Sequence, residues 1–321
     1  MGALKRIIVT GGAGFIGSNL VQALNDLGHK DLIIVDHPKG EEPLSNLSDL
    51  KYTDYLDRND LFDALEKEKL GEIETIFHLG ACTDTLEKDK DFLFSNNTSY
   101  SKKLFDYCAD RNARFIYASS GATYGGDSAF SDAERNLKPL NAYGESKHRF
   151  DEMARNSVKK PSQWVGLKFF NVYGPKEAHK GRESSLVFQA YHQIMKNGSV
   201  RLFKSYNEEY KDGEQKRDFI YVKDVVKVIL FFFKNPGTSG IFNVGTGKAR
   251  TFLDLARAVF ASLHKEPRVE FVDMLEGLRN QYQYSTEADL TNLRAAGYSE
   301  KFYELEEGVK EYVQNYLTRG A

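Results

Sequence analysis

The feature that most constrains the fold is a glycine-rich turn placed between a short apolar run and a helical pattern. Thr10-Gly11-Gly12-Ala13-Gly14-Phe15-Ile16-Gly17 follows directly on Ile7-Ile8-Val9. Glycine at positions 11, 14 and 17 lets the chain turn sharply, lets the backbone approach a pyrophosphate, and lets the next helix pack close to the strand. Ile16, Leu20, Ala23, Leu24 and Leu27 recur at helical spacing, so a helix over 14–27 is expected. Its N-terminus would offer free N–H groups to phosphate oxygens. Asp36 ends the second apolar run, Leu32–Val35, about where an acid that holds a ribose should stand. Asp36 suits an unphosphorylated ribose, whereas Lys39 suits a 2′-phosphate, so NAD and NADP both stay open. His37 is expected in a loop near the adenosine.

The alternation continues. Helices are expected over 59–70, over 91–111 and from Tyr143, with strands over 75–79, 114–118 and 165–170. Strand–helix alternation with continuous apolar strands implies an α/β protein with a buried parallel sheet. The expected fold is therefore a Rossmann-type doubly wound parallel sheet. Beyond residue 171 the pattern turns irregular, with long loops over 174–182 and 206–217. We expect residues 1–170 to form the dinucleotide-binding domain, with returning elements around 218–250, and residues 171–321 to form a smaller mixed α/β substrate-binding lobe. A formal net charge of −2 argues against a nucleic-acid-binding surface. Two cysteines, Cys82 and Cys108, give no disulfide framework or Cys-rich metal site, which fits a reducing compartment. No signal peptide is visible. The longest apolar stretch, 225–233, is interrupted by Lys227 and too short to span a bilayer.

Tyr143-Gly144-Glu145-Ser146-Lys147 carries the second signal. Tyr143 and Lys147 lie four residues apart and share one helix face. A phenol titrates near 10, too high for a base at neutral pH, and a neighbouring ammonium favours the phenolate. The same lysine suits the nicotinamide ribose. Ser119 and Ser120 close the preceding strand. Ser120 is the expected donor to a substrate oxygen, with Thr123 as a second. Tyr-x-x-x-Lys alone is common by chance; its agreement with the strand-end serine and the glycine turn is what points to hydride transfer.

With these residues placed, the chain resembles the extended short-chain dehydrogenase/reductase family of nucleotide-sugar enzymes over essentially its whole length. Besides the two motifs, the marks are Ile76-Phe77-His78-Leu79-Gly80-Ala81, Phe170-Asn171-Val172-Tyr173-Gly174-Pro175, Arg217-Asp218-Phe219-Ile220-Tyr221-Val222 and Asn243-Val244-Gly245. Three stretches are similar to the ADP-L-glycero-D-manno-heptose 6-epimerase branch: Ala118 to Gly126, His179-Lys180-Gly181, and Ala288 to Tyr298. The resemblance implies inversion at C6″ of an ADP-heptose through a 6-keto intermediate, with a retained NADP, or NAD. It implies Tyr143 as acid/base on one face and Lys180 on the other, Ser120 on the oxygen and Lys147 on the cofactor. Matching residue by residue, it puts Gly11, Gly14, Phe15, Ile16, Gly17, Asp36, His37, Arg58, Leu79, Gly80, Ala81, Cys82, Thr83, Asn96, Val172 and Lys180 against the cofactor. It puts Asn171, Phe203, Lys204, Ser205, Tyr206, Arg217 and Tyr282 against the ADP-sugar.

The chain departs from the branch at Pro43, where a basic residue often follows the second strand. It departs also at Arg182-Glu183 and Gln189, and in the length of the 206–216 segment. The resemblance further implies a homo-oligomer in the cytoplasm. Two alternatives compete. A UDP-hexose 4-epimerase or a related dehydratase would share Tyr143 and Lys147 without needing Lys180. A non-catalytic NAD(P)-sensing protein would need only the glycine turn.

Overall fold

A computed structural model of the chain describes residues 5–37, 42–126, 130–132, 137–274, 276–279 and 282–319. Lys39 lies outside the described residues. The strands are β1 (Arg6–Thr10), β2 (Leu32–Asp36), β3 (Asp54–Asp57), β4 (Ile73–His78), β5 (Arg114–Ser120), β6 (Gln163–Phe169), β7 (Asn171–Tyr173), β8 (Val200–Phe203), β9 (Lys216–Tyr221), β10 (Gly240–Val244), β11 (Ala249–Thr251) and β12 (Val269–Val272). Seven of them form one sheet in the order β10-β6-β5-β4-β1-β2-β3. The pairings from β5 through β4, β1 and β2 to β3 are parallel. This is the doubly wound α/β sheet expected from the alternating pattern. Ile8, Val9, Ile33, Ile34, Ile76 and Phe77 are completely buried, because helices cover both faces of such a sheet.

The chain divides into two compact units. The first comprises Met1–Ser120, Ala142–Lys168 and Val226–Phe242 and holds nearly all of this sheet. Its strand order reverses between β4 and β1, and doubly wound sheets bind ligands in the crevice beyond such a reversal. The second comprises Gly121–Asn141, Phe169–Val225 and Asn243–Ala321. It contains a three-stranded sheet, β11-β9-β7, and a parallel pair, β12-β8. Asp218 on β9 is buried, and its carboxylate accepts from Thr246 N, Thr246 Oγ1, Gly247 N and Ala288 N at 2.7–3.1 Å. That set of donors fixes the turn into β11 against the 286–290 segment.

Two helices differ from the sequence expectation. The helix over 59–70 is confined to Leu61–Glu66, and Glu68 and Gly71 beyond it adopt positive φ. The long helix over 91–111 is three pieces: an α-turn Lys90–Leu93, a π-helical turn Phe94–Ser99, and the helix Tyr100–Arg111. A π turn adds one residue to a helix and so escapes periodicity counts; such turns recur at functional sites.

Candidate active site

The glycine turn has the close backbone approach a pyrophosphate cradle needs. Gly11 has φ +68°, a conformation that L side chains rarely adopt, and a Cβ there would stand 2.6 Å from Gly80 N. A Cβ on Gly17 would collide with the Gly11 carbonyl oxygen, so the helix Phe15–Asp26 can start this close only as glycine. Gly14 is the N-cap of that helix and supplies no side-chain cap, and a helix N-terminus favours an anionic ligand. Phe15 is buried and Ile16 half-buried on its first turn. Asp36 closes the turn from outside: its Oδ2 accepts from Ala13 N at 2.9 Å and its Oδ1 from His37 N at 2.8 Å.

Beside this turn lies a cavity of about 350 Å³ whose walls include Thr10, Asp36, His37, Arg58, Gly80, Ala81, Cys82, Asn96 and Tyr100. The structure thus gathers in one cleft residues that the sequence scatters from Thr10 to Tyr100. His37 Nδ1 lies 2.5 Å from Asp57 Oδ2, and that contact holds the Asp57 carboxyl below its ordinary range after the larger contribution of the Asn59 backbone. The Arg58 guanidinium stacks 4.6 Å over Tyr100 and donates to Asn96. Leu79 N donates to Thr10 O, which ties the end of β4 to the end of β1. Thr83 is exposed on the following loop. The glycine cradle and this cleft fit a dinucleotide.

Ser120, Tyr143 and Lys147 all belong to the same first unit, at the end of β5 and on the helix Ala142–Asn156. All three are buried. Lys147 Nζ donates to Ala118 O at 2.8 Å. Burial pushes its pKa down to about 8, against an opposing pull from Asp151 and Cys82. An ammonium so placed one helical turn from a phenol stabilises the phenolate.

In the second unit, Arg217 on β9 is 9% exposed, its guanidinium packed 5.0 Å from the Tyr282 ring and 5.5 Å from Phe252. Its guanidinium donates to Lys216 O at 2.8 Å, and among the described residues no carboxylate pairs with it. Arg217 does not pair with the adjacent Asp218, because neighbouring side chains on a strand point to opposite faces. A chain of aromatic contacts links Arg217 to other residues matched to the sugar nucleotide. Tyr282 packs on Tyr284, whose hydroxyl accepts from Tyr206 N at 3.2 Å, and Tyr206 stacks 3.8 Å under Arg279. Lys204 pairs with Asp273, Gln215 Nε2 donates to the carbonyls of Phe203 and Lys204, and Ser205 N donates to Asp212. Asn171 and Val172 lie on β7 beside β9. Lys180 is half-buried in a 3₁₀ turn, Ala178–Glu183, with its N–H donating to Glu177 O. Val172 and Lys180 thus belong to the second unit.

Residues 7–245 match the model of the NAD dependent epimerase/dehydratase family. The chain belongs to that family. An ADP-L-glycero-D-manno-heptose-6-epimerase from Fusobacterium nucleatum is 49% identical over 326 residues, 98% of each chain. Among solved structures, the ADP-L-glycero-D-manno-heptose-6-epimerase of Helicobacter pylori matches with a TM-score of 0.81 and 28% identity, covering 97% of this chain and 96% of that one. A UDP-N-acetylglucosamine 4-epimerase from Methanobrevibacter ruminantium matches at the same TM-score and 27% identity, covering 98% and 99%.

Three residues of this epimerase/dehydratase chain shape its site and were not singled out from sequence. Asn97, in the π turn, accepts from Cys82 N and donates to Cys82 O and to Ser146 Oγ, so it clamps the loop after β4 to the Tyr143 helix. Asp151 lies two helical steps beyond Tyr143, a spacing that could have drawn notice to it. Glu177 is completely buried, and its carboxylate accepts from Gly174 N, Ser185 N and Ser185 Oγ across the loop that carries Lys180. Its signal was only the position three residues before Lys180.

Proposed function

We propose that the chain is an ADP-L-glycero-D-manno-heptose 6-epimerase that inverts C6″ of ADP-D-glycero-D-manno-heptose. The observation that carries this reading is the 49% identity, over nearly the full length of both chains, to the relative that bears that name. The chemistry within the first unit supports it. When bound, the nicotinamide cofactor supplies a hydride acceptor that returns the hydride within the same cycle, so net redox is zero. Tyr143, its phenolate favoured by the Lys147 ammonium, takes the proton of the C6″ hydroxyl. Ser120 donates a hydrogen bond to that oxygen as it becomes a carbonyl. The 6-keto sugar then presents its other face, where Lys180 handles the proton. Arg217 holds the diphosphate, because a buried guanidinium that no carboxylate among the described residues pairs with has its charge satisfied by an anionic ligand. Asn171, Phe203 to Tyr206 and Tyr282 complete the sugar-nucleotide side.

For the cofactor we propose NADP, with Arg58 and His37 facing the 2′-phosphate, and NAD as the second reading because Asp36 ends β2. Dinucleotide released by denaturing the protein and identified by mass spectrometry separates the two. The same reading puts the enzyme in the cytoplasm as a homo-oligomer, which sedimentation of the purified protein checks. Among the described residues no helix is long and apolar enough to cross a membrane. Incubation with ADP-D-glycero-D-manno-heptose in parallel with UDP-galactose tests the substrate. Interconversion of the heptose epimers alone supports the proposal, and conversion of the UDP-hexose alone overturns it.

A further inference from the structure

Behind Lys147 lies a buried group of charges that the proposed reaction does not use. Tyr143, Lys147 and Asp151 follow one another at four-residue steps along one face of the helix Ala142–Asn156, and all three are buried. Asp151 is completely buried. Its Oδ1 accepts from the Tyr117 hydroxyl at 2.9 Å and its Oδ2 from Ser119 Oγ at 2.7 Å. Lys168, on β6 and also completely buried, brings Nζ to 3.7 Å from Oδ2. The space is built for this contact: a side chain at Gly166 would overlap the Tyr117 hydroxyl, so β6 carries glycine there. Replacing a buried ion pair with apolar side chains of similar volume is often neutral or stabilising, so burial of this pair needs a reason other than stability.

The charges supply one. Lys147, Asp151 and Lys168 lie on neighbouring elements of one unit, with Ser119 and Tyr117 on β5 between them. Among the described residues, the other titratable groups that share this helix face or interact electrostatically with the group include Tyr143, His148, Glu152 and Arg155 on the same helix, His78 on β4, and Cys82 after it. Burial holds both His148 and His78 below their usual range, with the charge of Lys147 adding to the effect at His78. Asp151 is the acid that acts most strongly on Lys147, opposing the loss of its proton through burial.

We propose that Asp151 and Lys168 form a positioning pair for Lys147, in which the Asp151 carboxylate keeps the neighbouring ammonium protonated and Lys168 limits how much of that carboxylate's field reaches it. The pair touches no substrate. It sets the charge state of the lysine that tunes Tyr143, and so rests on the reading of Tyr143 and Lys147 given above. Removing one member of the pair moves Lys147 in one direction, and removing the other moves it in the opposite direction, which a merely structural role would not do.

The test is a pH titration of the cofactor-free protein carrying ¹³Cε-lysine, followed by NMR, with the Lys147 signal assigned from its loss in Lys147→Met. Asp151→Asn lowers the Lys147 midpoint by about one pH unit or more. Lys168→Met raises it, and the double variant returns toward wild type. Unmoved midpoints, or single variants that move it the same way, overturn the proposal. Should Asp151→Asn not fold, comparison of Lys168→Met with the double variant isolates the same carboxylate, and the midpoint must fall between them. The alkaline limb of kcat measured on the same variants follows the same order. Midpoints that move while the limb stays fixed uphold the pair and refute the part given to Lys147 in turnover.

Discussion

Lys147→Met should abolish turnover and remove a specific pH dependence from stability. In the folded protein burial brings the Lys147 pKa from 10.5 down to about 8. Below pH 8 the ammonium is protonated in both the folded and the unfolded chain, and the folded state bears the full cost of burying it. Between pH 8 and 10.5 the folded protein gives up this proton while the unfolded chain keeps it. The unfolded state then binds more protons, so stability rises with pH across that window. The 2.5-unit difference amounts to about 3 kcal/mol, at 1.36 kcal/mol per unit. The variant also loses the hydrogen bond to Ala118 O, and leaving that carbonyl unpaired costs about 1–3 kcal/mol. At pH 7 the two changes nearly offset. The slope is the cleaner signature: the stability difference, wild type minus variant, climbs by about 3 kcal/mol from pH 7.5 to 10.5. Urea unfolding of the cofactor-free proteins at half-unit steps of pH reads it directly. A difference that stays constant across that range would refute a buried, charged Lys147.

Three further perturbations probe the other parts of the site. Tyr143→Phe should lower kcat by about 10²–10⁴-fold while dinucleotide stays bound, as read by initial rates and mass spectrometry of the released cofactor. Arg217→Met should raise the KM for the sugar nucleotide roughly 10- to 100-fold, the loss of charge-assisted hydrogen bonds worth about 1.5–3 kcal/mol. Its melting temperature should not fall, because the guanidinium it removes is buried and no carboxylate among the described residues pairs with it. Gly17→Ala should weaken dinucleotide binding at least about tenfold by titration calorimetry, since its methyl group would meet the Gly11 carbonyl.

What the sequence could convey depended on how local each signal was. The glycine turn, its strand and its helix are contiguous and carry their own periodicity, so β1, the helix Phe15–Asp26 and β2 were legible. β3, Asp-Tyr-Leu-Asp, is only four residues long with none fully buried, and it has no apolar run to mark it. The parallel pair β8–β12 joins Val200 to Val269, a partnership that no local pattern encodes. Within the proposed site, Tyr143, Lys147 and the serine at the end of β5 could be named from sequence because their spacing agrees with the glycine turn upstream. Asn97 and Asp151 do not, because their meaning lies in partners far along the chain: Cys82 and Ser146 for the first, Tyr117 and Lys168 for the second. Arg217 could be named from sequence, but that it is buried, with no acid beside it among the described residues, could come only from the fold.

The central claim is that one hydride leaves C6″ and returns to it from the opposite direction. Wild-type protein given ADP-D-glycero-D-manno-heptose deuterated at C6″ tests this most directly, with both epimers followed by NMR. The account predicts a mixture of the two C6″ epimers in which each keeps its deuterium. Loss of the label to solvent during inversion, or recovery of unchanged substrate, would contradict it.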